Sequence, residues 1–325
     1  MTTPEQPTSA IPVTEANFNR AESDLYFRRL LSEGGRGTFH HFREVMPIEN
    51  QRVPRANRDT LYSTGVFDLD AGPVTVTLPA TAGRFMSMAA IDEDQYAVQT
   101  VYAPGTFTYD KNKIGTRYVM LGIRTFVDPS DVRDLAKAHA CQNAVRVEQK
   151  AIGTFEFPIW DAVSHERVRQ ELVKRAAALS DTKGMFGPRG KVDPERHLIG
   201  SATAWGGNVP EAAMSLTVVP AKNDGKTIHT LTVKNDVPVD GFWSVSVYGP
   251  DGYFEKNDRN LYSINNITAK KAADGSVTIQ FGGCEKKASN CIPIMPGWNY
   301  WVRFYRPRKA LIEGTYRFPP AIAVG

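Results

Sequence analysis

From residue 62 to residue 127 the chain runs in short stretches rich in β-branched and aromatic residues: TGVFDLD, GPVTVTLP, RFMSMAAID, YAVQTVYAPG, GTFTYD and GTRYVMLGIRTFV. Apolar and polar positions alternate in several of them, which is the period of a strand burying one face. Turn residues punctuate these runs at Ala71-Gly72-Pro73, Thr81-Ala82-Gly83 and Pro104-Gly105. The spacing predicts the hairpins of one antiparallel sheet or sandwich and lacks the helical insertions of a parallel sheet. The same texture returns from residue 214 in MSLTVVP, KTIHTLTVKN, GFWSVSVYGPDGYF, GSVTIQF and WNYWVRFYRP. Asp224-Gly225, Asp251-Gly252 and Asp274-Gly275 stand between those runs as hairpin signals, so a second β-sandwich is expected.

Helical spacing appears in two other places. Residues 14–31 set Phe18, Ala21, Leu25 and Leu30 near one helical face, with Thr14 as the expected N-cap. Residues 129–181 read as two helices, SDVRDLAKAHACQNAVRVEQKAI and SHERVRQELVKRAAALS, capped by Ser130 and Ser164 and separated by an apolar break at 155–161. The Gly- and Pro-rich stretch 181–194 is the best linker, and PERHLIGSATAWG beyond it reads as a short helix. The expected fold is mainly β with helical segments: two antiparallel β-sandwich, jelly-roll-like domains bridged by helices. Its expected parts are a disordered N-terminus at 1–13, an N-terminal β domain with a leading helix at 14–128, a helical bridge and linker at 129–194, and a C-terminal β-sandwich at 195–325.

A chain of 325 residues exceeds one ordinary domain, and 42% hydrophobic with 23% charged residues is ordinary globular composition. The formal charge of +4 is spread along the chain, so nucleic acid is not an expected partner. The densest basic stretch, WVRFYRPRK, interleaves Arg303, Arg306, Arg308 and Lys309 with aromatics. A phosphate or RNA patch is one reading of it; a strand with apolar residues inward and cations outward is the preferred one. No run approaches the roughly 20 apolar residues of a membrane span. The opening MTTPEQPTSAIP lacks the basic start and apolar middle of a secretory leader, so a cytoplasmic location is expected, with a periplasmic or secreted protein freed of its leader as the alternative.

ANRDTLYS at 56–63 and VPVDGFWSVSVYGPDGYFEKN at 237–257 carry a resemblance that other segments extend over most of the chain. AESDLYF, VFDLDAGPVTVTLP, RFMSM and GTRYV belong to its first half, and HLIGSATAWGGN, LYSINNITA, DGSVTIQFGGC, NCIPIMPGWNY and FYRPR to its second. The sequence resembles proteins that pair the domains of unknown function 1254 and 1214. The resemblance implies a mainly β, two-domain fold and no settled reaction. Where similar proteins often read Asp-His-Tyr and Gln-Asp-Ala, this chain has Asp94-Gln95-Tyr96 and Gln142-Asn143-Ala144, so no histidine or carboxylate role carries over there.

The densest candidate chemistry is Asn57-Arg58-Asp59-Thr60-Leu61-Tyr62-Ser63. At a sandwich mouth, Arg58 would clamp a ligand carboxylate while Asp59 takes a proton or orients a hydroxyl, with Tyr62 and Asn57 beside them. The competing reading makes Asp59 a turn cap, Arg58 an ion-pair partner and Tyr62 a buried strand residue. In the C-terminal half, Tyr253, Asn257, Arg259, Asn260, Tyr262 and Ser263 follow the aromatic strand of Phe242, Trp243 and Tyr248. Amides and phenols of this kind suit a polar small-molecule or saccharide site, and they equally suit left-handed turns and sandwich core.

Cys284 and Cys291 bracket EKKASN, with Cys141 left over. A local disulfide is the preferred reading, against a metal pair lacking its second half or two reduced thiols. The histidines at 40, 41, 139, 165, 197 and 229 form no metal motif. There is no G-x-S-x-G elbow, phosphate loop or dinucleotide fingerprint, and neither a metal nor a cofactor is expected. Three functions remain: a cofactor-independent enzyme acting in an inter-domain cleft, with Arg58 as anion clamp and Asp59 as base; a non-catalytic binder of a small polar ligand; and an envelope or assembly scaffold, with a homo-oligomer as a further expected partner.

Overall fold

The computed structural model describes residues 10–51, 53–179, 181–286 and 289–324. The chain forms two compact units: Met1–His41, Tyr62–Arg124 and Cys141–Val209 make the first, and Phe42–Leu61, Thr125–Ala140 and Pro210–Gly325 the second. Their segments interleave along the sequence. Among the described residues the sheets are antiparallel apart from one short parallel pair of strands.

The first unit holds β1 (His40–His41), β2 (Thr60–Asp68), β3 (Val74–Leu78), β4 (Met86–Asp92), β5 (Ala97–Tyr102), β6 (Gly105–Tyr109), β7 (Tyr118–Phe126) and β8 (Arg146–Gln149). They form a five-stranded sheet ordered β1-β2-β7-β4-β5 and a three-stranded one ordered β6-β3-β8. In β3 the alternation turns Val74, Val76 and Leu78 inward, where they meet Met86, Met88, Val119, Leu121 and Ile123 of the larger sheet. Full burial of each such side chain contributes about 1.5–3 kcal/mol. Helices α1 (Phe18–Ser32), α2 (Lys111–Ile114), α4 (Ala162–Ala176) and α5 (Pro194–Ala204) accompany the strands, while α3 (Val132–Asn143) lies in the second unit except for its last turn. Phe18 and Ala21 of α1 pack with Leu172 of α4 and Ile199 of α5 in a separate core of this unit.

The second unit holds β9 (Ala213–Val218), β10 (His229–Val233), β11 (Trp243–Tyr248), β12 (Ser263–Asn265), β13 (Val277–Phe281), β14 (Cys291–Ile292), β15 (Asn299–Tyr305) and β16 (Ile322–Ala323). Its two sheets run β12-β11-β15-β9 and β14-β13-β10-β16, with β14 parallel to β13. Val245, Val247, Val302 and Phe304 of one sheet pack on Leu231, Val233, Ile279 and Phe281 of the other, so the unit is a sandwich around one core.

Several local expectations are corrected. The cap position of α1 is Asn17 and not Thr14; the Asn17 side chain accepts from the Thr14 amide (2.8 Å) and donates to the Pro12 carbonyl, pinning the preceding turn. The cap of α4 is Asp161, whose carboxylate accepts from the Ser164 amide, which places Ser164 inside the first turn. Helix α3 begins after Ser130, at Val132, and stops at Asn143. Residues 146–149 then alternate as strand β8, paired antiparallel with β3, because tertiary pairing overrides helical propensity there. Asp224-Gly225 and Asp274-Gly275 each lie between strands of different sheets and close no hairpin. Of the N-terminal stretch expected to be disordered, residues 1–9 lie outside the described residues; Ile11 bridges to Trp160 and Val13 is buried. Among the described residues no helix is long and apolar enough to cross a membrane.

Candidate functional site

The site follows from the alternation of β11 and β15. Trp243, Val245 and Val247 face the sandwich core with Tyr300, Val302 and Phe304. Ser244, Ser246 and Tyr248 therefore share the opposite face, paired in register with Arg303, Trp301 and Asn299, while β12 adds Ser263 opposite Ser246 and Asn265 opposite Ser244. A polar sheet face would ordinarily meet water, yet every residue of β11 is buried. Residues 42–61 supply its partners.

Arg303, 8% exposed, donates to Ser246 Oγ (3.1 Å), the Arg55 carbonyl (2.7 Å) and Tyr248 Oη (2.8 Å), and the Tyr248 hydroxyl in turn donates to the Ala56 carbonyl (2.7 Å). The expectation that the cations of WVRFYRPRK point outward fails at this residue. Its polar phase lies under a covering segment and not under solvent, so a guanidinium with several donors in a fixed fork is what can satisfy it. Burial opposes the charge of Arg303, but Tyr248, Tyr305 and Asp59 outweigh that effect and hold its pKa above the usual value.

Asp59, 1% exposed, accepts from Ser244 Oγ at 2.6 Å. Burial pushes its pKa up; the Arg303 charge, the Ser244 and Ser263 hydroxyls and Arg58 act in the other direction. Ser263 favours the carboxylate without reaching Oδ1 in hydrogen-bond geometry, since Oδ1 has no partner among the described residues. The turn leading into Asp59 is built by Asn57, which accepts from the Asp59 amide and donates to Thr60 Oγ1 (2.8 Å each).

Beside this network lies a cleft of about 200 Å³ whose walls come from the second unit alone. Arg58 and Tyr262 form one wall, the guanidinium standing 5.2 Å from the ring centroid and donating to the Met46 carbonyl. Burial holds the Arg58 pKa below its usual value, with Tyr262, Glu49 and Asp59 opposing. Asp128 and Ser130 line another part, and Asn260, Ser263, Asn265, Thr268 and Asn290 complete it. Asn260 holds φ at +48°, a left-handed turn position that asparagine tolerates. The Asn265 carbonyl oxygen accepts from the amides of Ile267 and Thr268, and Asn290 donates to the carbonyls of Lys270 and Thr278. Arg58, expected in the N-terminal domain, and Tyr262 thus stand in one unit, because residues 42–61 and 125–140 pack with the C-terminal sheets.

The expected site residues separate into groups. Arg58 and Tyr262 line the cleft, while Asp59 and Tyr248 are buried in the network. Asn57 is a turn former, and Asn257 orders its loop by accepting from the Arg259 and Leu261 amides. Arg259 donates to the Cys284 carbonyl (2.6 Å), Trp243 is core, and Tyr253 closes a turn through its backbone to Asp251 and Gly249. Tyr62 belongs to the first unit, under the Arg124 guanidinium at 5.5 Å. Cys284 and Cys291 are joined in a disulfide and Cys141 is free. Sequence reasoning missed Ser244, turned Arg303 outward, gave Ser130 only a capping role, and did not single out Asp128, Asn265 or Asn290. The signal for the first two was present: Ser-x-Ser on one strand and Asn-x-Trp-x-Arg on its neighbour share a phase opposite to the valines.

Fold and site define a mainly β protein of two units with a cleft of about 200 Å³ in the second. The chain matches the family described as Protein of unknown function (DUF1254) over residues 36–113 and that described as Protein of unknown function (DUF1214) over residues 220–309, the pairing expected from its motifs. The crystal structure of the VPA0106 protein from Vibrio parahaemolyticus is similar, with a TM-score of 0.70 at 17% identity, covering 96% of this chain and 98% of that one. An uncharacterised protein from Burkholderia cenocepacia gives a TM-score of 0.48 at 13% identity, covering 99% of this chain and 91% of that one. No curated protein matches the sequence.

Proposed function

We propose that this protein binds a small polar metabolite or saccharide in the cleft of its second unit. One observation carries the reading: a cleft of about 200 Å³ walled by the cation of Arg58, the phenol of Tyr262 and the side chains of Asn260, Ser263 and Asn265. Amides and hydroxyls both donate and accept, which suits a ligand rich in hydroxyl groups, and the Tyr262 ring gives the wall an apolar component. Asp59 is a positioning group in this reading, since a carboxylate 1% exposed and bonded to Ser244 is poorly suited to abstract a proton from a ligand. The Cys284–Cys291 disulfide supports a periplasmic or extracellular location.

Saturation-transfer NMR against monosaccharides and polyols tests the reading, with Asn260→Gly and Ser263→Ala as variants. Glycine keeps the left-handed backbone and removes only the amide. At least one compound is expected to receive saturation, and both variants to weaken it severalfold. Undiminished transfer in both variants moves the site elsewhere, and appearance of a product by mass spectrometry replaces binding with catalysis.

A further inference from the structure

We infer that the ligand of this cleft is a zwitterion, a molecule whose carboxylate is taken by Arg58 and whose ammonium group is taken by Asp128. The inference rests on the polar-ligand reading above and narrows it to a chemical class.

Arg58 and Asp128 line the same cleft with opposite charges. They do not neutralise each other: among the described residues neither takes part in a salt bridge. Arg58 spends one N–H on the Met46 carbonyl and rests its face on Tyr262. Those two contacts fix the guanidinium plane and leave other N–H groups for a planar, bidentate partner, which is the geometry of a carboxylate. Asp128 uses Oδ1 to accept from the Ser130 amide at 2.9 Å, and Oδ2 has no donor among the described residues. A half-buried cation and a half-buried anion in one small cleft each lose hydration when a ligand displaces water. A neutral ligand would cost both groups hydration without supplying either with a direct ion-pair partner. A simple anion would face Asp128, and a simple cation would face Arg58, so each single-charge ligand meets a repulsive element. A molecule bearing both groups satisfies both. The amide nitrogen of Asn265 lines the same cleft and remains for a ligand hydroxyl, the Asn265 oxygen being occupied by backbone amides.

The test is isothermal titration of the full chain with four compounds that share one polyhydroxylated six-carbon chain. Glucosaminate carries both charged groups, gluconate only the carboxylate, glucamine only the ammonium, and sorbitol neither. Glucosaminate is expected to bind at least about tenfold more tightly than gluconate or glucamine, with sorbitol weakest. Arg58→Gln should reduce glucosaminate to the affinity of glucamine, and Asp128→Asn should reduce it to that of gluconate. Equal binding of all four compounds, or variants that weaken all four alike, overturns the zwitterion and leaves the polar-ligand reading standing. No binding of any compound overturns both. Thermal melting controls for folding; should Arg58→Gln fail to fold, Arg58→Lys, which keeps the charge, and Asp128→Asn carry the test.

Discussion

Asp59 accepts a 2.6 Å hydrogen bond from the hydroxyl of Ser244, 185 positions further along the chain, and both residues are buried. This contact fastens the covering segment 42–61 to the polar face of β11. Since burial pushes the Asp59 pKa up, the site tolerates a neutral group of the same shape. Asp59→Asn is therefore expected to cost about 1 kcal/mol or less, because an amide oxygen still accepts from Ser244. Asp59→Ala leaves the Ser244 donor unpaired beside a cavity and is expected to cost about 2–4 kcal/mol. Urea unfolding of the two variants checks the contrast; equal losses would mean that the carboxylate charge, and not its shape, matters.

The two arginines at 303 and 308 belong to the same basic stretch and should behave differently. Arg303 is enclosed and bonded to Ser246, Tyr248 and the Arg55 carbonyl, whereas the Arg308 side chain is 61% exposed and pairs with Asp240 at 2.7 Å. Arg303→Met is expected to cost about 3–5 kcal/mol, since it strands partners inside the unit. Arg308→Met should stay within about 1 kcal/mol, because solvent screens an exposed pair. Chemical denaturation of both variants at one salt concentration decides the point.

In the first unit Asp24 is fully buried, accepts from Trp160 Nε1 at 2.8 Å through Oδ2 and leaves Oδ1 without a partner among the described residues. Burial raises its pKa to about 7, with Glu93 adding to the rise and Trp160, Arg20 and Arg28 opposing it. Burial likewise raises Asp92 to about 6. For a carboxyl with a folded pKa above its unfolded one, the protonated form is favoured in the fold. The stability it contributes is complete below about pH 4 and is lost as pH rises through the folded value. Asp24→Asn should therefore be more stable than the parent at pH 8, by on the order of 2–4 kcal/mol, and the difference should shrink towards pH 4. Thermal midpoints followed by tryptophan fluorescence across this range test it; a difference that grows on acidification would reverse the assignment.

The strand pattern was legible because alternation is local: Val245 and Val247 announce a core face, and the longer strands fall where β-branched runs predicted them, whereas β8 lies in a stretch that reads as helix. The function of the opposite face was not. Whether Ser244, Ser246 and Arg303 meet water or protein depends on residues 42–61, about two hundred positions away, and no periodicity within β11 reports on that cover. The pattern of the strand alone therefore turns Arg303 outward. The Arg58 motif was found because its residue types are unusual at any depth, but the sequence could not say that Arg58 would line the cleft while its neighbour Asp59 lay behind it. Asp128 and Ser130 were hidden differently: Asp-Pro-Ser before a helix reads as a capping turn, and the Asp128–Ser130 hydrogen bond shows that it also serves as one.

The disulfide offers the last test, because it acts on the cleft through one backbone atom. Cys284 and Cys291 are separated by seven positions, and Arg259, from the loop that carries Asn260 and Tyr262, donates to the Cys284 carbonyl at 2.6 Å. Closing so short a loop restricts the unfolded chain only modestly, so converting both cysteines to serine should cost about 2–3 kcal/mol. The same substitution frees the Cys284 carbonyl to move and loosens the loop that Arg259 anchors. Ligand binding in the cleft should then weaken along with stability, and adding reductant to the parent should reproduce both effects. If reductant lowers the unfolding midpoint while leaving cleft binding unchanged, the link through Arg259 carries no energy and the loop is held by its other contacts, such as the Val247–Tyr262 backbone hydrogen bond.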